Sequence, residues 1–296
     1  MGVNTKTAYL LIQAVKSGVD FERTVTIGRQ RLHGPYVVFK DLFKKYELSN
    51  ELLEEVFVSQ RYAESFFRNL GAKVIDSIDA SAYESASIIH DMNKPIPPEM
   101  FLKYSVVFDG GSLEHIFDFP TAIANCMNMV RLGGHFIGSV PANNLFGHGF
   151  YQFSPELFFR IFSMQNGFIT KRVLLYFNEP DSNIYQVTDP ATVKNRVKLM
   201  NAKETYMLVI AQKTGYIKPF VSKPQQSDYQ FLKWRHDSDD VSEKREKSGL
   251  KEFKRSMPKW LVVMFLAWRK RVYLIRTVLR DIGNGNSQYI RRIKSK

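Results

Sequence analysis

The stretch Tyr104–Phe159, YSVVFDGGSLEHIFDFPTAIANCMNMVRLGGHFIGSVPANNLFGHGFYQFSPELFF, decides the fold of this chain. It opens with the β-branched and aromatic run Ser105-Val106-Val107-Phe108. That run is too short for a helix and is halted by Asp109-Gly110-Gly111, which predicts a fully buried strand. A helix over about Phe119 to Val130, stopped by Gly133-Gly134, and a second strand over His135 to Val140 complete a strand, helix, strand unit. Asp109, Ser112, Glu114 and His115 crowd the carboxyl end of the first strand, the edge at which open α/β sheets bind ligands. Pro141-Ala142-Asn143-Asn144, Gly147-His148-Gly149 and the helix start Ser154-Pro155-Glu156 predict a shaped loop returning across that edge.

The same alternation extends on both sides. Thr5 to Lys16 places Ala8, Leu11, Ile12 and Val15 at helical spacing. Arg23 to Gly28 reads as a first strand, and Tyr36 to Lys45 as a short helix. Further helices are predicted from Ser49 or Asn50 and over Gln60 to Leu70, the latter ended by Gly71. Ala72 to Ile78 and Ser87 to Ile89 are the next strands, followed by a proline-rich loop over Lys94 to Glu99. Phe168 to Phe177 and Thr205 to Ala211 form a late strand pair, separated by a polar excursion from Asn178 to Asn201 and expected as an antiparallel hairpin at the sheet edge. The pattern predicts an α/β three-layer sandwich with a mostly parallel sheet. Three parts are expected: an α/β domain over residues 1–216, a charged linker over 217–255 and a basic amphipathic helical tail over 256–296.

Composition bounds the rest. A chain of 296 residues with 44% hydrophobic content can bury a sizeable core. Cys126 stands alone, so an intrachain disulfide is excluded and a small buried hydrophobe is expected there. No apolar run reaches the length of a membrane span and no secretory pattern opens the chain, which points to a cytoplasmic protein. The net charge of +13 is concentrated after residue 216. Residues 217–296 hold 20 Lys and Arg against 8 Asp and Glu, leaving 22 against 21 before them. Such a tail suits an anionic partner. Within it Trp260 to Trp268 is a run of nine apolar residues with tryptophan at both ends, followed by Arg269-Lys270-Arg271. This suits a helix lying in a membrane interface over residues 256–280, at the inner face of the membrane. Aromatic and basic residues are not interleaved as nucleic-acid grooves require, so nucleic acid is not the expected partner. Self-association stays open.

The strand ends carry a resemblance. Ser77-Ile78-Asp79-Ala80-Ser81, His90-Asp91-Met92-Asn93, Phe108-Asp109-Gly110-Gly111-Ser112-Leu113-Glu114-His115-Ile116 and Arg131-Leu132-Gly133-Gly134 resemble the class I S-adenosylmethionine-dependent methyltransferases over roughly residues 20 to 215. The resemblance implies a Rossmann-like sheet of seven strands with S-adenosylmethionine over the ends of strands one to four. Asp79 would accept from the ribose hydroxyls, Asp91 and Met92 would flank adenine, and Gly28, Asp109, Gly110, Gly111 and Ser112 would complete the cofactor site. A carboxylate that accepts two hydrogen bonds at once suits a vicinal diol. The first loop departs from the family pattern: Thr26 stands where the strand acid would be, Gln30 replaces a glycine, and Arg29 and Arg31 bring positive charge.

Methyl transfer to oxygen needs a base and an aligned acceptor. His115 and His148 are the candidate bases. Glu114, Asn143, Asn144, Tyr151 and Gln152 are candidates for holding the acceptor, with Phe150 or Phe153 to stack on it. No sequence spacing of histidines and acids suggests a metal set. The loop His148 to Glu156 is similar to methyltransferase-like proteins of bacterial surface-polysaccharide synthesis, which implies a sugar or glycan acceptor. The alternative is a catalytically silent module of the same fold that binds glycan, a partner enzyme or a membrane surface.

Overall fold

The computed structural model describes residues 2–58, 61–177, 179, 182–232, 258–282, 284–285 and 289–293. Most of the expected linker, residues 233–257, therefore lies outside the described residues, as does the expected helix start at Gln60.

Thirteen strands occur among the described residues, and nine of them form one sheet. In chain order the strands are β1 Gly2–Asn4, β2 Arg23–Ile27, β3 Arg31–His33, β4 Val74–Asp79, β5 Ile88–Ile89, β6 Tyr104–Asp109, β7 Val130–Asn143, β8 Phe168–Phe177, β9 Ile184–Val187, β10 Leu199–Met200, β11 Thr205–Lys213, β12 Asn284–Gly285 and β13 Ile290–Ile293. The large sheet runs β13-β9-β8-β11-β7-β6-β2-β4-β5. The five strands from β7 to β5 are parallel, while β11, β8, β9 and β13 pair antiparallel. This is the expected Rossmann-like α/β sandwich, parallel in its core, with nine strands where seven were expected. The late antiparallel pair forms, with β11 seated between β7 and β8, but it lies inside the sheet and not at its edge, which β9 and β13 extend. The two additional strands arise because the polar excursion contains the pattern Ile184 to Val187 and the basic tail ends in Ile290–Ile293, each supplying an edge.

β6 lies inside the sheet between β7 and β2, and every one of its residues is buried. Its side chains face two cores: Val107 and, across the register shift that follows it, Tyr104 join Phe136, Met127 and Phe158 on one side, and Val106 and Phe108 join Phe66, Phe67 and Ile137 on the other. Helices cover both faces, which explains the unbroken apolar run. The helix Thr5–Lys16 is capped by Asn4, whose side chain accepts from Thr7 N. The helix Phe119–Met129 is capped by Asp118, with proline at its start. Cys126 sits fully buried within that helix, as expected.

The glycine pair expected before the strand at His135 lies inside it. β7 begins at Val130, pairs with Tyr104, then shifts register before Val106 pairs with His135. Gly133 takes a positive φ of 77°, and a Cβ on Gly134 would stand 2.8 Å from Ser105 O. The glycines thus form an irregularity where two backbones approach closely.

His135, at the amino end of the β7 pairing segment, is buried, and its Nδ1 has no hydrogen-bond partner. Burial, assisted by Lys171, lowers its pKa to about 4. The folded protein therefore keeps His135 neutral between the ordinary value of 6.5 and about 4, while the unfolded chain takes up a proton. Stability falls as pH drops through this window, by about 3 kcal/mol for this group. His135→Gln is expected to lose less stability than the parent between pH 7 and 4.5 in urea denaturation. Equal losses would exclude His135 as an acid-sensitive group.

Candidate functional site

The site is built at the carboxyl edge of β6 and β7. After β6 the chain turns at Gly110-Gly111 into a short 3-10 turn, Leu113–His115. Asp109, fully buried, accepts from Ser112 N at 2.9 Å and Leu113 N at 3.3 Å and so fixes that turn. Glu114 follows, 1% exposed and held between two glycines of left-handed conformation. A Cβ on Gly111 would lie 3.2 Å from Glu114 Oε1, and one on Gly149 would lie 2.8 Å from Glu114 O. Only glycine admits these backbones so close to the glutamate.

The loop after β7 is clasped to this turn. Phe150 N and Tyr151 N both donate to Glu114 O, at 2.7 and 3.3 Å. Tyr151 Oη donates to Phe117 O at 2.7 Å, and Gln152 Oε1 accepts from Leu145 N at 2.8 Å. Tyr151 and Gln152, two of the residues expected to hold an acceptor, thus make hydrogen bonds that position the loop. The same holds for Asn143 and Asn144, whose amides donate to Asn201 and, for Asn144, to Lys203 O. Asn143 is the last residue of β7 and Asn144 the next, beside the start of β11, so they tie strand ends together. Phe153 is buried against Phe119, Tyr151 and Phe158, so stacking falls to Phe150, which is 66% exposed.

The clasp brings His148 over the turn. Its ring centroid lies 5.2 Å from that of His115 at 66°, and its Nε2 lies 3.3 Å from Glu114 Oε1. That spacing is an ion-pair distance without hydrogen-bond alignment, since both Glu114 carboxylate oxygens are buried with no hydrogen-bond partner. Burial pushes the Asp109 and Glu114 carboxyls up, and the Asp109 charge adds to the rise at Glu114. Burial and then the neighbouring His148 ring hold His115 below the usual histidine range. Glu114, His115 and His148 offer ligand atoms within 4.8 Å of one another, a metal-compatible set that the sequence spacing did not suggest. Glu114 and His148 are far apart in sequence, and only the loop closure unites them. Beside the histidines, the exposed rings of Phe117 and Phe150 meet edge to face at 5.9 Å.

The cofactor side is arranged differently in its two halves. Asp79 ends β4, accepting from Ser81 N, and His90 N donates to Asp79 O. Asp91 accepts from the backbone and side chain of Asn93, which lower its pKa, and Met92 is buried beside it. These positions present carboxylates and an apolar contact suited to the adenosine half that the resemblance implies. Gly28 has a φ of 71° and donates to Ile78 O at 2.6 Å, which lets the first loop turn tightly.

Where the resemblance puts the methionine half, the protein's own Gln30 covers Gly110. Gln30 is 2% exposed, and a Cβ on Gly110 would stand 2.3 Å from its amide oxygen. Gly110 O accepts from Gly2 N of β1, and Ser112 Oγ donates to Ile27 O at 2.6 Å. Gln30 Oε1 and Asp109 Oδ2 have no partner. An amide held only through its Nε2, which donates to Ile27 O and Gly28 O, is released by rotation of one side chain. The carboxylates of Asp79 and Asp91 suit the adenosine half of S-adenosylmethionine, whereas Gln30 covers the Gly110 face where the resemblance puts the methionine half. Arg29 and Arg31 do not oppose a sulfonium: Arg29 pairs with Glu64 at 2.7 Å and Arg31 with Glu84 at 3.0 Å, and both lie over the Tyr62 ring.

The chain is similar to S-adenosylmethionine-dependent methyltransferases of known structure. One is a methyltransferase from Thermotoga maritima described as a possible histamine N-methyltransferase, 14% identical over 71% of this chain and 91% of that chain, with a TM-score of 0.39. Another is geranyl diphosphate methyltransferase in complex with S-adenosylmethionine, 13% identical over 71% and 85%, with a TM-score of 0.40. A third is the N-methyltransferase NodS from Bradyrhizobium japonicum in complex with S-adenosylhomocysteine, 12% identical over 71% and 87%, with a TM-score of 0.39. At this distance the likeness says nothing of acceptor or site. No protein-family profile and no curated protein sequence matches the chain.

Sequence reading missed Gln30 as a site-filling residue and the hydroxyl network beneath the site. Ser139 Oγ and Tyr176 Oη lie 2.6 Å apart, and Thr7 Oγ1 lies 3.0 Å from Tyr176 Oη. The single hydroxyl within the apolar run of β7 was the available signal for it.

Proposed function

We propose that this protein is an S-adenosylmethionine-dependent O-methyltransferase acting on a sugar or glycan hydroxyl. The observation that carries the reading is the convergence of Glu114, His115 and His148 beside the exposed Phe117–Phe150 pair on the ligand-binding edge of the sheet. An aromatic platform next to polar groups suits a sugar, which presents an apolar ring face and hydroxyls on its rim. Asp79, Asp91 and Met92 would hold the adenosine half of the cofactor. When bound, S-adenosylmethionine supplies an electrophilic methyl group. Phe117 and Phe150 orient the acceptor ring, and the His115–His148 pair accepts the hydroxyl proton, the histidine loop being fixed on Glu114 by two backbone hydrogen bonds. Most of the rate in such a transfer comes from alignment, with base catalysis adding about 10²–10⁴-fold.

Radiolabelled methyl transfer from S-adenosylmethionine to a panel of nucleotide sugars and oligosaccharides tests the reading. Label is expected in a sugar acceptor, and His148→Ala is expected to lower it by about 100-fold or more. Label confined to nucleic acid, or none in any acceptor, would count against it. A second reading, a catalytically silent glycan-binding module, is favoured by the Gln30 amide on Gly110 and the Gly2 contact to Gly110 O.

Attachment to an anionic membrane surface belongs to the same proposal. The helix Lys259–Leu279 exposes Trp260, Val263, Met264 and Trp268, each 60–65% accessible, and carries Arg269, Lys270 and Arg271. Among the described residues, no helix is long and apolar enough to cross a membrane. Beyond the helix, Asp281 accepts from Tyr185, Asn183 and Lys203, and β13 completes the sheet edge. The C-terminal residues are thus integrated with the domain, and truncating them would open the sheet. Trp260→Ser with Trp268→Ser is the suitable variant. Flotation with phosphatidylglycerol vesicles is expected to carry the parent and leave the variant behind. Equal flotation would assign the helix another role.

A further inference from the structure

We propose that Glu114, His115 and His148 form a binding site for a divalent transition-metal cation. One carboxylate and two imidazoles are the donor set of open metal sites, in which remaining positions are left to water or substrate. Ligand atoms about 2.1 Å from a tetrahedral cation stand roughly 3.4 Å apart. Glu114 Oε1 and His148 Nε2 stand at 3.3 Å, and the three donors lie within 4.8 Å of one another.

The independent observation is the state of Glu114. Its carboxylate is 1% exposed, yet neither oxygen has a hydrogen-bond partner. A buried acceptor without a donor costs about 1–3 kcal/mol, and more when charged. The chain nevertheless fixes it there with two left-handed glycines, Gly111 and Gly149, and two backbone hydrogen bonds to its carbonyl oxygen. A cation seated between Glu114 and His148 would satisfy the acceptor that the protein leaves unpaired. His115 and His148 are exposed on the outer side, so the open positions face the acceptor side beside Phe117 and Phe150. A hydroxyl bound there would be acidified by the cation, which would then take over activation of the acceptor from the imidazoles. This last role rests on the methyl-transfer reading, whereas cation binding does not.

The test is titration of the full-length, chelator-treated protein with Co²⁺, followed by visible d–d absorption and by calorimetry in the absence of any nucleoside. One equivalent is expected to bind with a d–d band, and His148→Ala and His115→Ala are each expected to weaken binding by about 100-fold or more. Both histidines are solvent-facing, so these variants are expected to fold, which circular dichroism checks. His90→Ala, at a half-buried histidine outside the cluster, is expected to bind as the parent does. Absence of a band, or binding unchanged in His148→Ala, overturns the proposal. Separate calorimetry with S-adenosylhomocysteine in chelator distinguishes failure of the cation site from failure of the methyltransferase reading.

Discussion

Gly149→Ala is expected to remain folded and to lose methyl transfer by about 100-fold or more, while Gly147→Ala two residues earlier behaves as the parent does. Gly149 has a φ of 79°, and an added Cβ would lie 2.8 Å from Glu114 O and 3.0 Å from its Cγ. The backbone strain alone costs about 1–2 kcal/mol. The clash is with backbone, so the loop must shift rather than a side chain give way. Such a shift breaks the Phe150 and Tyr151 bonds to Glu114 O and lifts His148 from Glu114. A displacement of about 1 Å at a reacting group lowers rates by about 100-fold. At Gly147 nothing lies within 4 Å of an added Cβ, and its φ is not positive. Steady-state kinetics and thermal melting of the pair check this. Equal activity in both variants would show that the clasp does not position the site.

The second large effect concerns the first loop. Gln30→Ala is expected to bind S-adenosylhomocysteine about tenfold more tightly, a gain of about 1.4 kcal/mol. The same substitution is expected to lower stability by about 1–2 kcal/mol through lost hydrogen bonds. Gln30 Nε2 donates to Ile27 O and Gly28 O, and its oxygen packs on Gly110. Cofactor binding must break the first contacts to gain the Gly110 face, and the variant removes that cost in advance. Affinity and stability thus move in opposite directions, which a purely structural glutamine would not produce. Calorimetry and urea denaturation on the same preparations decide the matter. Unchanged or weaker affinity would remove Gln30 as the residue that fills the methionine half.

Much of this architecture is legible in the sequence, because buried parallel strands are short apolar runs that end in glycine and polar residues. Ser105 to Phe108 and its helix at Phe119 are found on that basis within a residue or two. Ile290–Ile293 escapes detection since a four-residue edge strand inside a basic tail has no pattern of its own, and its partner β9 lies within a polar excursion. At the site, Glu114, His115 and His148 stand out individually as polar residues at a strand edge. Their assembly depends on the Gly149 clasp, which is a tertiary contact without local signature. Asn143, Asn144, Tyr151 and Gln152 look like free hydrogen-bonding groups in sequence, yet a loop of this shape needs such groups for its own backbone. Gln30 is visible as a departure from the glycine pattern, but its burial against Gly110 follows only from the way the first and fourth strand ends meet.

Calorimetric titration of the protein with S-adenosylhomocysteine reports whether this strand edge receives S-adenosylmethionine. Stoichiometric binding in the micromolar range is expected, weakened by about 100-fold in Asp79→Ala, which removes the carboxylate proposed to accept from the ribose. Folded protein that gives no heat at millimolar ligand would contradict the account.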